Sequence, residues 1–154
     1  MSFHELALRL GLALLFGSAI GLERQWRSRY VGLRTNTLVT LGSAAMMAFA
    51  ERLPTGDPTA IVHIIAGIIT GIGFLGAGVI IHEGITIKGC NTAATLWCSV
   101  AVGLFAGAGY FAEAALLTVC IMLVNVSLRP IVHYINSQTK HKETASDRYD
   151  NSGD

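Results

Sequence analysis

The stretch Gly21 to Asn36, GLERQWRSRYVGLRTN, sets Arg24, Arg27, Arg29 and Arg34 within one short interval between two apolar runs rich in Gly and Ala. A charged side chain at the centre of a bilayer costs roughly 2.5–3.5 kcal/mol on insertion scales, and Lys and Arg beside helix ends bias their loop towards the cytoplasm. The stretch therefore reads as a cytoplasmic turn between two membrane helices. It orients the rest of the chain.

Composition agrees. Apolar residues make up 52% of the 154 and charged ones 14%, whereas soluble domains carry about 25% charged residues. The net charge of +1 excludes little; the placement of the charges matters more. Windows of about 20 apolar residues predict helices from Glu5 to Leu22, Thr35 to Leu53, Thr59 to Ile81, Thr92 to Ala108 and Phe111 to Val132. The fold class is all-α, a polytopic bundle of five spans. The second span is short, so Arg34 and Arg52 must snorkel to opposite interfaces or the bilayer must thin; the alternative is a re-entrant segment.

With five spans the termini lie on opposite sides. Arg24, Arg27, Arg29, Arg34, Lys88, Arg129, Lys140, Lys142 and Arg148 fall on one side, Arg52 on the other, and Arg9 within the first helix. The positive-inside rule places the N-terminus outside and the C-terminus in the cytoplasm. Met1 to His4 lacks the basic start of a signal peptide, so the first helix should be retained. Residues 136–154 are polar and read as a disordered cytoplasmic tail after a membrane domain of residues 1–135. Cys90, Cys98 and Cys120 form no C-x-x-C pair and read as free thiols.

Gly71-Ile-Gly73-Phe-Leu-Gly76 has the letters of a dinucleotide fingerprint. That site needs a preceding strand and an acid about 20 residues on; here the glycines lie inside an apolar span and position 93 is alanine. Helix packing explains them better. Ala13, Gly17 and Gly21, Gly67 and Gly71, Gly73 and Ala77, and Ser99, Gly103 and Gly107 recur at four-residue spacing, the GxxxG-like pattern that lets helix backbones approach closely. A leftover small-residue face could also support a homodimer. The two cytoplasmic hairpins show a weak parallel: a Gly-rich helix, a carboxylate (Glu23, Glu83), a basic turn, then Gly-x-x-Thr at Gly32 to Thr35 and Gly89 to Thr92.

The residues with chemistry to offer gather at the inner helix ends: Glu23 and Glu83 with Arg24, Arg27, Arg34, Lys88, His82 and Asn91. Read plainly, they are interface anchors and caps, with Asn91 or Thr92 capping the fourth helix and Thr35 or Asn36 the second. Read functionally, they form a docking surface or a cation-linked switch. Asn91, Thr95 and Cys98 share a helix face at i, i+4 and i+7 beside Thr92 and Ser99, and a polar stripe in a membrane helix faces protein or water. Asn91, Cys98, Thr92, Thr95, Glu23, Glu83, Arg24 and Arg34 are therefore the candidate functional residues. His63 reads as interfacial or bundle-facing, Asn125 as an interhelical hydrogen-bonding residue, and Glu5 with Arg9 as an i, i+4 pair. Trp26, Tyr30, Trp97 and Tyr134 read as interface aromatics. No nucleophile constellation, nucleotide loop or metal-ligand set is recognisable, so no enzyme activity, cofactor or nucleic-acid partner is expected.

The blocks GLERQWRSRYVGLRTNTLV (Gly21 to Val39), GIGFLGAGVIIHEG (Gly71 to Gly84) and GCNTAATLWCSVAVG (Gly89 to Gly103) resemble the MgtC/SapB family of bacterial inner-membrane proteins, and the resemblance runs from Glu5 to about Ile135. It implies a small helical membrane domain and a role in adaptation to low magnesium. In pathogens it also implies survival inside host cells. Members are thought to regulate other membrane proteins, including the F-type ATP synthase, rather than to move magnesium. Within N-T-A-A-x-x-W-C the family's functional asparagine and cysteine fall on Asn91 and Cys98. The chain departs from pathogen-type members by ending in a short tail where they carry a cytoplasmic C-terminal domain. Two function classes stand: a non-enzymatic regulator that binds an integral-membrane partner, and a small cation or proton transporter. The first is favoured because the glutamates sit at helix ends rather than at mid-membrane.

Overall fold

The computed structural model describes residues 1–27, 31–53, 58–83 and 86–128. The described residues form five helices: α1 (Phe3–Trp26), α2 (Leu33–Ala50), α3 (Pro58–Val79), α4 (Cys90–Gly107) and α5 (Phe111–Leu128). Between α3 and α4 lies an antiparallel hairpin of β1 (Ile81–Glu83) and β2 (Thr86–Lys88), paired Ile81 to Lys88 and Glu83 to Thr86. The sequence pattern does not reveal this hairpin, because three-residue strands are too short to show periodicity. The chain divides into a unit of Met1–Ile121 and a second of Met122–Asp154. Of the second, the described part is the last stretch of α5, on which Asn125 is half-buried. The tail at 136–154, Arg29, Tyr30 and Tyr134 lie outside the described residues.

Helix ends follow the local chemistry. Ser2 and Glu5 form a reciprocal capping box that starts α1, with the Ser2 amide donating to Glu5 Oε2 at 3.0 Å and the Glu5 amide to Ser2 Oγ at 3.2 Å. Glu5 is thus spent on the cap, and the expected pair with Arg9 does not form. Arg9 instead reaches Glu51 at the end of α2 and donates to the Gly107 carbonyl at the end of α4, 2.6 Å away. A carboxylate and a helix-terminal carbonyl both attract a cation, so one guanidinium ties three helices together.

α2 begins directly after Gly32 and α4 directly after Gly89, neither with a side-chain cap. Thr35, Asn36, Asn91 and Thr92 are therefore inside their helices rather than capping them. Gly89 has φ +96°, and a methyl group there would stand 2.1 Å from the Val79 carbonyl oxygen. Only glycine meets both demands.

The first unit is built on close contacts of α2 with α1 and α4. A methyl group at Gly17 would lie 2.8 Å from Thr40 Cβ, one at Gly21 2.7 Å from Leu33 Cα, and one at Gly103 2.3 Å from the Thr40 carbonyl oxygen. Backbones meet at these glycines, as the small-residue spacing of the first and fourth helices predicts. The third helix differs: a side chain at Gly67, Gly71 or Gly73 would meet nothing. Within the described residues those glycines are not packing contacts, because α3 leans on α4 with its Ile68, Ile72 and Val79 face. A second cluster, Ala13, Ile20, Ala44, Val102, Ala106, Ala114 and Ile121, joins α1, α2, α4 and the first part of α5.

α1, α3, α4 and α5 are long and apolar enough to cross a membrane. The 18-residue α2 is less apolar. Its Asn36, Thr40 and Ser43 are buried, and a helix covered by protein need not be apolar throughout. The chain is an all-α membrane bundle. The glycines of the fingerprint-like run lie inside uninterrupted α3.

Candidate functional site

The C-terminal turns of α1 and the N-terminal turns of α2 and α4 meet at one end of the bundle, called here the arginine end. Arg24 is its centre. It is 2% exposed, the largest fully buried side chain in the described residues. Its Nη2 donates to Thr92 Oγ1 at 2.6 Å and its Nη1 to Thr95 Oγ1 at 3.4 Å. Thr95 sends its own proton to the Asn91 carbonyl at 2.8 Å, which turns its lone pairs towards the cation. A buried charge is tolerated only where polar groups replace water. The row of hydroxyls on α4 supplies them.

One turn deeper, Ser99 Oγ shares its proton between Asn36 Oδ1 at 3.1 Å and the Thr95 carbonyl at 3.0 Å. Asn36 is 1% exposed, and its Nδ2 donates to the Gly32 carbonyl at 2.9 Å. Thr40 donates to the Asn36 carbonyl at 2.9 Å. The interior polar row of α4 is therefore Thr92, Thr95 and Ser99, all buried. It faces Arg24 of α1 and Asn36 of α2.

The predicted residues divide. Arg24, Thr92 and Thr95 come together. Asn91, expected on the same face, is exposed in the first turn of α4 and makes no side-chain hydrogen bond among the described residues. Cys98 is half-buried against the apolar cluster of α1, α2, α4 and α5. Glu23 holds Arg27 at 2.6 Å, one turn along α1, and Arg34 is exposed. The side chain of Glu83 lies outside the described residues. Cys90, Cys98 and Cys120 are free. His63 is exposed on α3 and so does not face the bundle of this chain, and Glu113, Trp26 and Trp97 are exposed as well.

Two participants carry more in the structure than their sequence positions suggest. Asn36 is an interhelical link rather than a cap, and Ser99 is its partner. The signal was present: Asn36, Thr40 and Ser43 recur at i, i+4 and i+7 on α2, the same pattern that marked α4. Among the described residues no group of His, Cys, Asp and Glu could hold a metal ion. The arrangement can hold a cation's charge inside the bundle and lock three helices in register.

A family model described as MgtC family matches residues 10–134. The chain belongs to the MgtC family. A protein of Synechocystis is 50% identical over 141 residues, covering 92% of this chain and 59% of that protein. Protein MgtC of Brucella abortus is 50% identical over 130 residues, and Protein MgtC of Salmonella typhimurium 47% over 129, each covering 84% of this chain and 54% of the relative. The chain thus spans little more than half the length of these relatives. No solved structure matches. The three blocks that carry the MgtC resemblance converge at the arginine end: the first supplies Arg24 and Asn36, the third Asn91 to Ser99, and the second contains Val79, whose carbonyl abuts Gly89.

Proposed function

We propose that the chain is a non-enzymatic regulatory membrane protein of the MgtC type, acting in adaptation to low magnesium through an integral-membrane partner. The F-type ATP synthase is the partner the family resemblance suggests. One contrast supports this reading. The interior polar groups of the arginine end bind one another, whereas the Asn91 amide, two donors and one acceptor, stands exposed at its edge with no side-chain hydrogen bond among the described residues. Groups consumed in holding helices suit a scaffold, and an open amide beside them suits recognition of a neighbour.

The test pairs growth with flux. A deletion strain complemented with the parent chain is expected to grow in scarce magnesium, and photocrosslinking from position 91 is expected to label an ATP synthase subunit. Purified protein in proteoliposomes is expected to show no ion flux. Flux that depends on Glu23 or Glu83 would replace this reading with the transporter.

A further inference from the structure

A groove of about 730 Å³ runs between α1 and α2, with Leu15, Leu22 and Leu38 on its walls and Arg34 at the arginine end. It lies on the outer surface of this pair, away from the hydroxyls that hold Arg24. Its polar floor is already satisfied: Ser18 Oγ and Thr37 Oγ1 are 3.3 Å apart, and Thr37 donates to the Leu33 carbonyl at 2.8 Å. Nothing along the groove seeks a polar occupant. Its end does.

The arginines of this region have different fates. Arg24 is buried on Thr92 and Thr95, and Arg27 pairs with Glu23. Arg34 is exposed and has no ion pair or side-chain hydrogen bond among the described residues. The first turn of α2 contains no acidic residue to neutralise it. An apolar groove with an exposed guanidinium at one end, unpaired among the described residues, has the polarity of a phospholipid: acyl chain along the groove, phosphate at the charge. A bidentate guanidinium matches a phosphodiester, and basic pockets between membrane helices select anionic headgroups.

We propose that the α1–α2 groove binds an anionic phospholipid of the leaflet at the arginine end, with its phosphate on Arg34 and an acyl chain against Leu15, Leu22 and Leu38. The inference rests on the reading of α1 and α2 as lying in the bilayer. It does not depend on the partner, so its failure would leave growth and crosslinking at Asn91 unchanged.

The experiment is native mass spectrometry of the full chain purified in mild detergent, with phosphatidylglycerol or phosphatidylethanolamine added at equal concentration. The parent is expected to retain phosphatidylglycerol preferentially. Arg34→Gln should lower that retention about fivefold, the scale of one basic residue at a membrane surface, while Arg34→Lys recovers part of it. Arg52→Gln removes the same charge at the other end of α2 and should change nothing. Ala19→Phe, which fills the groove, should lower retention of both lipids; Leu22→Trp serves the same purpose should the first fail to fold. Equal retention of the two lipids by the parent, equal losses in the Arg34 and Arg52 variants, or parent-like retention in the filled groove would each overturn the proposal.

Discussion

Thr92 shows most directly how a single side chain secures the arginine end. Its hydroxyl accepts from the buried Arg24 at 2.6 Å, and a hydrogen bond to a charged group contributes about 1.5–3 kcal/mol. Thr92→Val keeps the volume and removes the acceptor, so it should destabilise the fold by about 1.5–3 kcal/mol, read as a lower melting temperature in detergent. Thr92→Ser restores the oxygen and should melt close to the parent. Asn91 predicts the reverse pattern. Because it is exposed and does not cap α4, Asn91→Thr and Asn91→Asp should insert, accumulate and melt normally. Growth in scarce magnesium should nevertheless suffer, most with Asp, which loses the amide donor and adds a charge. Full complementation by both variants at normal membrane abundance would remove Asn91 from the proposed recognition surface.

At the level of helices, the glycines sort into two kinds that look alike in sequence. Gly103 lies against the Thr40 carbonyl with no room for a methyl group, while Gly71 opens onto an apolar groove beside α2. Gly103→Leu should therefore force α2 and α4 apart, at a cost of about 1–3 kcal/mol or more for overpacking, and reduce the folded yield. Gly71→Leu should leave melting and chromatographic size unchanged. A loss of folding in the Gly71 variant would mean that the open face of α3 packs in the assembled protein. α1 adds a restraint at the opposite end, where Arg9 joins Glu51 and the Gly107 carbonyl. Arg9→Gln should loosen this junction, with faster proteolysis after Glu51 as its readout.

For the molecule as a whole, the expected topology places the arginine end in the cytoplasm, following the one-sided distribution of Lys and Arg. A reporter fused after Ser137 should be active in the cytoplasm, and one inserted near Gly56 should report the periplasm; both positions lie outside the described residues. A cytoplasmic Gly56 would reject five spans and return α2 to the re-entrant alternative. The composition of α2 makes this the decisive position. It is the helix whose polar side chains are turned onto α1 and α4.

The sequence by itself determined the class, the helices and the family. Long apolar runs can satisfy their backbone in a bilayer only as helices or closed barrels, and the interrupting charges marked their ends to within a few residues. It also identified Arg24, Thr92 and Thr95 as residues of one region, since a polar stripe on an apolar helix is visible as spacing. Tertiary structure alone decided which polar residue met which. Arg9 had a carboxylate four residues away in Glu5 and another 42 away in Glu51, and it bonded the distant one because the cap had taken the first. Asn36 was a plausible cap by position, yet the glycine before it began the helix and left the amide to Ser99. Four-residue glycine spacing was equally regular in three helices, and contacts with other helices filled it in two. Spacing along a helix fixes the face on which a residue lies, but the partner of that face depends on chain geometry far away in sequence.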